Sequence, residues 1–168
     1  DGAKLHMQSL GALAHYDFNL AGAYAYEQAF LVMRRLGLSM DSIEEQFRRM
    51  VFNVVARNQD DHVKNIAFLM DKQGRWSLSP AFDMTYSFNP DGLWTATHQM
   101  TINGKRDHFE MADFRACART AGMKRGRAES ILAGVEQVVA RWPVYADLAG
   151  VQPGQRDRIQ AALRLEVR

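Results

Sequence analysis

Apolar positions recur at helical spacing in the first third of the chain. In AYAYEQAFLVMRRLGLS, Tyr26, Phe30 and Met33 follow one another at intervals of four and three, which sets them on one face of a helix. Arg34 and Arg35 suit the negative end of that helix, and Gly37 supplies its stop. A second helix is marked by Ile43, Phe47, Met50, Val51 and Val54, with Asp41 and Glu44 read as a side-chain cap and its reciprocal partner. The pattern then changes period. IAFLM reads as a buried strand, DKQGR as a turn and WSLS as an alternating strand closed by Pro80, a hairpin over about residues 66–79. Asn103-Gly104 is a hairpin-turn signal inside ATHQMTINGKRD, one side of which is too polar to assign. Helices are predicted over about 110–121, ending near Gly122, over about 125–141 with Ile131, Leu132, Val135, Val138 and Val139, and after Pro153 with Ile159 and Leu163. PVYADLAGVQPG is expected to be a connector, and no repeat or low-complexity segment interrupts the pattern.

The expected fold class is mainly α with one short β-hairpin. At 168 residues and 47% hydrophobic content the chain suits one domain with a sizeable core. Its longest apolar runs, AFLVM and IAFLM, are far shorter than a membrane span requires. The net charge of +2 makes no general electrostatic case for direct contact with nucleic acid or a membrane. Cys117 has no second cysteine to pair with and is expected as a small buried hydrophobe, so a reducing, cytoplasmic setting fits.

The chemistry concentrates in one octet. NQDDHVKN, Asn58 to Asn65, places two acids, a histidine, a lysine and three carboxamides just after the apolar run MVFNVV. A hairpin turning near Gly74 would bring Asp83 back beside Asn65, so that Asn65, Asp83 and the acids of the octet share one mouth. Oxygen donors of this kind suit a hard cation such as Mg²⁺, which keeps several waters and takes one or two carboxylates from the protein. His62 alone in a loop reads either as a structural hydrogen-bonder or as a transition-metal ligand, and no second His or Cys lies at ligand spacing. Lys64 either meets a phosphate as a point charge or is solvated. Asp61 reads as a loop hydrogen-bonder or a second metal contact.

Protein kinases carry a catalytic Asp five residues before a metal-binding Asn, then two short strands, then a second metal-binding Asp. Asp60-x-x-x-x-Asn65 followed by Asp83 repeats that order, but Asn58 stands where kinases have His and AFDM replaces Asp-Phe-Gly. With those departures, NQDDHVKNIAFLMD followed by LSPAFDM resembles the C-terminal domain of the HipA-like serine/threonine kinases, toxin components of bacterial toxin–antitoxin pairs. HYDFNLAGAYAYEQ and MTINGKRDHF extend the likeness more weakly. The resemblance implies a protein-kinase-like helical C-lobe whose hairpin carries the metal site. It implies an ATP- and Mg²⁺-dependent kinase with Asp60 as catalytic acid/base, Asn65 and Asp83 on the metal, and His62 and Lys64 toward the nucleotide. It also implies a protein substrate and a DNA-binding antitoxin partner.

No glycine-rich phosphate loop or strand-borne Lys precedes the octet. Residues 1–168 are therefore expected to be the C-terminal lobe of a longer chain, poor or inactive as an enzyme alone. Two other classes of function compete: a metal-dependent phosphohydrolase built on Asp60, His62 and Asp83, and a binding module on a degenerate kinase-like scaffold.

Overall fold

The structure, a computed structural model, describes residues 4–168. Among these, seven helices and a three-stranded antiparallel sheet follow in the order β1 (His6–Ser9), α1 (Leu10–Ala14), α2 (Tyr26–Arg35), α3 (Met40–Val55), β2 (Ala67–Met70), β3 (Trp76–Leu78), α4 (Met111–Thr120), α5 (Arg127–Val139), α6 (Trp142–Leu148) and α7 (Pro153–Ala162). No described helix is long and apolar enough to cross a membrane.

Helix α3 is the centre of the core. Its stripe of Ile43, Phe47, Met50, Val51 and Val54 is buried with Tyr26, Phe30 and Met33 of α2 and with Phe114, Ile131 and Leu132 of α4 and α5. Cys117 is buried in the same cluster, and burial pushes its thiol well above the usual range. The cap of α3 corrects the expectation of Asp41: Ser39 is the N-cap, accepting the Ser42 amide at 3.3 Å, and Asp41 lies within the first turn. Serine does this as well as aspartate because only a short side-chain oxygen is required.

The hairpin forms as expected but is one of three strands. β1 pairs antiparallel with β2, although HMQS has neither the alternation nor the apolar content that marks a strand. β1 then runs into α1, whose N-cap Ser9 accepts the Ala12 amide at 3.2 Å. The register of β2 with β3, Phe68↔Leu78 and Met70↔Trp76, is tighter by two residues than a turn centred on Gly74 requires. The ladder closes where the Ser79 amide meets the Ala67 carbonyl at 3.0 Å, and Pro80 cannot extend it. Asp83 therefore reaches Asn65 through an irregular segment rather than as its ladder partner.

Asn103 and Gly104 both adopt positive φ, 51° and 78°, the two-residue hairpin turn read from their sequence, closed by Ile102 and Lys105. Half of the connector expected at 143–154 is instead helix α6, opened by Trp142 and Pro143, because proline at a first helical turn sacrifices no hydrogen bond.

The cap assignment has a direct test by urea denaturation. Ser39→Ala is expected to lower stability by about 1 kcal/mol, and Asp41→Asn, which loses only a first-turn charge, by a fraction of that; the reverse order would return the cap to Asp41.

Candidate functional site

The octet leaves α3 through a turn that four helices of the fold share. The Asn58 amide donates to the Asn53 carbonyl at 2.9 Å and the Arg57 amide to Val54 at 3.4 Å, the paired bonds of a Schellman motif. Helices α2, α4 and α6 close in the same way with Gly37, Gly122 and Gly150 at the left-handed position. Arg57 holds that position here, at φ 59°, where a side chain costs about 1–2 kcal/mol. Its guanidinium offsets the strain by donating to the Ala162 carbonyl at 2.7 Å and Gln59 Oε1 at 3.0 Å, and by lying 4.1 Å from the Phe88 ring centroid.

Ser87 organises the next two residues. Its hydroxyl accepts the amides of Gln59 at 2.8 Å and Asp60 at 3.0 Å and donates to Asn58 Oδ1 at 3.2 Å. Asn58 in turn donates to the Asn53 side chain at 3.0 Å and to the Asp83 carbonyl at 3.2 Å. That last bond joins the octet to the segment carrying Asp83, itself at a left-handed φ of 55°.

Asp61 is the buried centre of this network, its side chain fully shielded from solvent. Oδ2 accepts the Tyr26 hydroxyl at 2.8 Å and faces His98 Nδ1 at 2.9 Å, and Oδ1 accepts the Gln99 amide at 2.8 Å. Burial by itself would raise this carboxyl, but the His98 ring beside it and the bonds from His98, Tyr26 and Gln99 hold it below the usual carboxylate range. Burial, and then the Asp61 charge, push the Tyr26 phenol well up. Asn53 donates to the same Tyr26 oxygen at 3.0 Å. Of the two readings of Asp61, hydrogen-bonding therefore prevails, since its lone pairs face donors.

At the far end of the octet, the Gly11 and Leu10 amides of α1 donate to the carbonyls of Val63 at 3.0 Å and Ile66 at 2.7 Å. A Cβ at Gly11 would come within 3.2 Å of the Val63 side chain. Asn65 donates its Nδ2 to the Asp60 carbonyl at 2.9 Å, and its Oδ1 has no donor among the described residues.

His62, Asn65 and Asp83 line one narrow cleft together with Asn58 and Asp61. Its free volume of about 10 Å³ is room for a single water-sized particle. Arg49 is also on its wall, bonded to Glu45 at 3.0 Å and to the Ser79 carbonyl at 2.9 Å. Asp60 stands beside the cleft rather than on its wall, with its side chain 47% exposed and His62 Nε2 at 3.9 Å. Lys64 does not line it; its Nζ lies 3.3 Å from the Phe18 ring centroid. His62 Nδ1 is buried without a hydrogen-bond partner, and the ring meets Phe18 edge-on at 5.9 Å. No three His, Cys, Asp or Glu side chains converge as a metal site among the described residues.

Sequence reasoning missed the supports: Tyr26, Asn53, Ser87, His98 and Gln99. Asn53 left a signal, a carboxamide inside an apolar helical stripe, and so did the polarity of the stretch before Asn103-Gly104, where His98 and Gln99 are buried. Ser87 left none.

Fold and site together define a mostly helical domain with a small antiparallel sheet that holds a polar loop against a cleft. The chain belongs to the HipA-like C-terminal domain family, whose model matches residues 1–142. It is similar in structure to a chain in the solved complex of the Shewanella oneidensis MR-1 toxin–antitoxin system HipA, HipB and its operator DNA. The TM-score is 0.56 at 19% identity, over 71% of this chain and 28% of that one. The protein thus spans well under a third of that neighbour's length. No curated protein matches its sequence.

The Asp61 network makes stability depend on acid in a defined direction. A depressed carboxyl contributes fully above the unfolded value of about 3.9 and is lost as pH falls through its lower folded value. Asp61→Asn is expected to cost about 3 kcal/mol at neutral pH and to flatten the acid limb of the stability curve. Thermal melts from pH 3 upward check this, and an unchanged acid limb would remove Asp61 as its origin.

Proposed function

We propose that the chain is the catalytic-loop lobe of a HipA-like protein serine/threonine kinase that transfers the γ-phosphoryl group of ATP to a protein hydroxyl. The observation that carries the reading is the bond from Asn58 to the Asp83 carbonyl, which stitches the octet to the Asp83 segment so that Asn65 and Asp83 line one cleft. Family membership supports it.

The residues present fit a Mg²⁺ ion carried in with ATP. Asp83 has no ion-pair partner or side-chain hydrogen bond among the described residues, and Asn65, tied through Nδ2 to Asp60, keeps its Oδ1 free. One carboxylate and one amide oxygen are a usual protein contribution to a metal whose other ligands are phosphate and water oxygens. When bound, the ion would neutralise charge on the phosphates. Asp60, its amide fixed by Ser87 and its carboxylate open, orients the substrate hydroxyl and receives its proton as transfer proceeds. Lys64, held on Phe18, reaches phosphate only by leaving that ring, and His62, on the cleft wall with its Nδ1 buried, is the octet's other contact toward the nucleotide.

A cleft of this size cannot enclose a nucleotide, so the base and phosphates would be covered by segments outside this chain, in keeping with the greater length of its structural neighbour. That neighbour's complex also motivates a DNA-binding antitoxin as partner, and cytoplasmic action follows from that partnership. The phosphohydrolase alternative requires Asp60, His62 and Asp83 to converge on a resident metal, and they do not form such a cluster.

In the intact kinase, Asp60→Ala is expected to lower single-turnover phosphate transfer at least about a hundredfold with Mg·ATP affinity retained. Asn65→Ala and Asp83→Ala are expected to weaken metal-dependent nucleotide binding as well. Full transfer by Asp83→Ala would rule out its metal role.

A further inference from the structure

The carboxylate that anchors the octet is the inner end of a chain of polar contacts that runs to the last residues of the protein. Asp61 Oδ2 faces His98 Nδ1 at 2.9 Å, and His98 Nε2 lies 3.2 Å from Nη1 of Arg164. Arg164 is bonded through Nη2 to Asp107, and its amide donates to the Val55 carbonyl at the end of α3 at 3.0 Å. Leu163, Leu165 and Val167 pack on the core around it.

A guanidinium has donors and no acceptor. The contact with Arg164 is therefore a hydrogen bond only if His98 Nε2 carries a lone pair. The ring proton then sits on Nδ1, where it donates to Asp61. His98 is fully buried, so water cannot replace either partner. The charged and titratable groups around the ring agree with this arrangement. Asp61 of the octet and the Tyr26 hydroxyl of α2 stand on the Nδ1 side, while Arg164 and Asp107 behind it stand on the Nε2 side. Arg106 bonds the His98 carbonyl rather than the ring, and Phe109 meets the ring edge-on at 5.3 Å. Burial, and then the Arg57 charge, bring the Arg164 guanidinium down to about 10, still cationic at neutral pH.

We infer that Arg164 and His98 are positioning residues for the octet: Arg164, donating to His98 Nε2, selects the Nδ1–H tautomer that holds Asp61 and so fixes the backbone from Asp60 to Asn65. Arg164 lies beyond residues 1–142, the span matched by the family model. The final stretch of the chain thereby becomes part of the support of the loop. The inference rests on the kinase reading only for its consequence in phosphate transfer.

The test uses the 168-residue chain and needs no nucleotide. Imidazole ¹⁵N spectra should show His98 as a single Nδ1–H tautomer. Arg164→Met keeps bulk and removes the donor. It should change the His98 ring signals and speed amide exchange at Gln99 and Asn65 at least about tenfold, with α5 amides unchanged. Arg164→Lys keeps a donor and the charge and should retain the ring signals, with exchange within about threefold of the parent. An Nε2–H ring in the unmodified chain overturns the inference, as does Arg164→Met with unaltered ring signals or unaltered Gln99 and Asn65 exchange. If Arg164→Met does not fold, the tautomer in the unmodified chain decides. Neither readout involves phosphate transfer, so failure of the kinase reading would leave this result standing.

Discussion

Burial of the Asp61 carboxylate is the constraint from which the arrangement of the loop follows. An ionised group cut off from water is tolerated only when its lone pairs meet donors, and here three donors come from two separated parts of the chain: the Tyr26 hydroxyl, and the adjacent His98 ring and Gln99 amide. Satisfying that one group fixes α2, the octet and the segment before Asn103-Gly104 relative to one another. Tyr26 also passes the constraint to α3 through Asn53, and Asn53 passes it to Asn58 and hence to Asp83. The half-exposed Asp60 owes its position to this buried neighbour.

The same division of labour appears in the backbone. Three helices of the fold end on glycine at a left-handed residue, but the one that delivers the octet ends on Arg57. Strain of about 1–2 kcal/mol at such a position persists only where surrounding contacts over-determine it. The bonds from Arg57 to Ala162 and Gln59 do so, and they tie the start of the loop to the end of α7. The loop is thus held at its start by the end of α7, in its middle by Ser87 and Asp61, and at its end by the first amides of α1. What remains open is the set of oxygens on Asp60, Asn65 and Asp83.

Much of this was legible in the residues themselves, and the exceptions have physical causes. Helices α2 to α5 announce themselves because each buries a periodic face in a shared core, α7 through Pro153 at its start and the buried Ile159, and the hairpin because IAFLM and WSLS flank a turn. β1 is invisible because HMQS is exposed at its first half and is defined by pairing with β2, a contact distant in sequence. α6 was hidden by Pro143 and by its exposed Val144 and Leu148. That the octet and Asp83 would lie together was readable from residue type and spacing. Their supports were not, since a half-buried serine or a buried histidine looks like any polar residue until a non-local partner is known. The hairpin pairs two residues tighter than expected, and Asp83 still comes beside Asn65 because an irregular segment after Pro80 completes the approach.

The claim on which the functional reading turns is that Asn65 and Asp83 together receive a metal that arrives with ATP. Paramagnetic broadening of assigned amide signals by Mn²⁺, added to the protein alone and then with ATP, measures this directly. Broadening that depends on ATP and centres on Asn65 and Asp83, leaving α5 untouched, is the predicted result. Broadening by the metal alone centred on His62, or none near Asn65 and Asp83 when ATP is present, would contradict it.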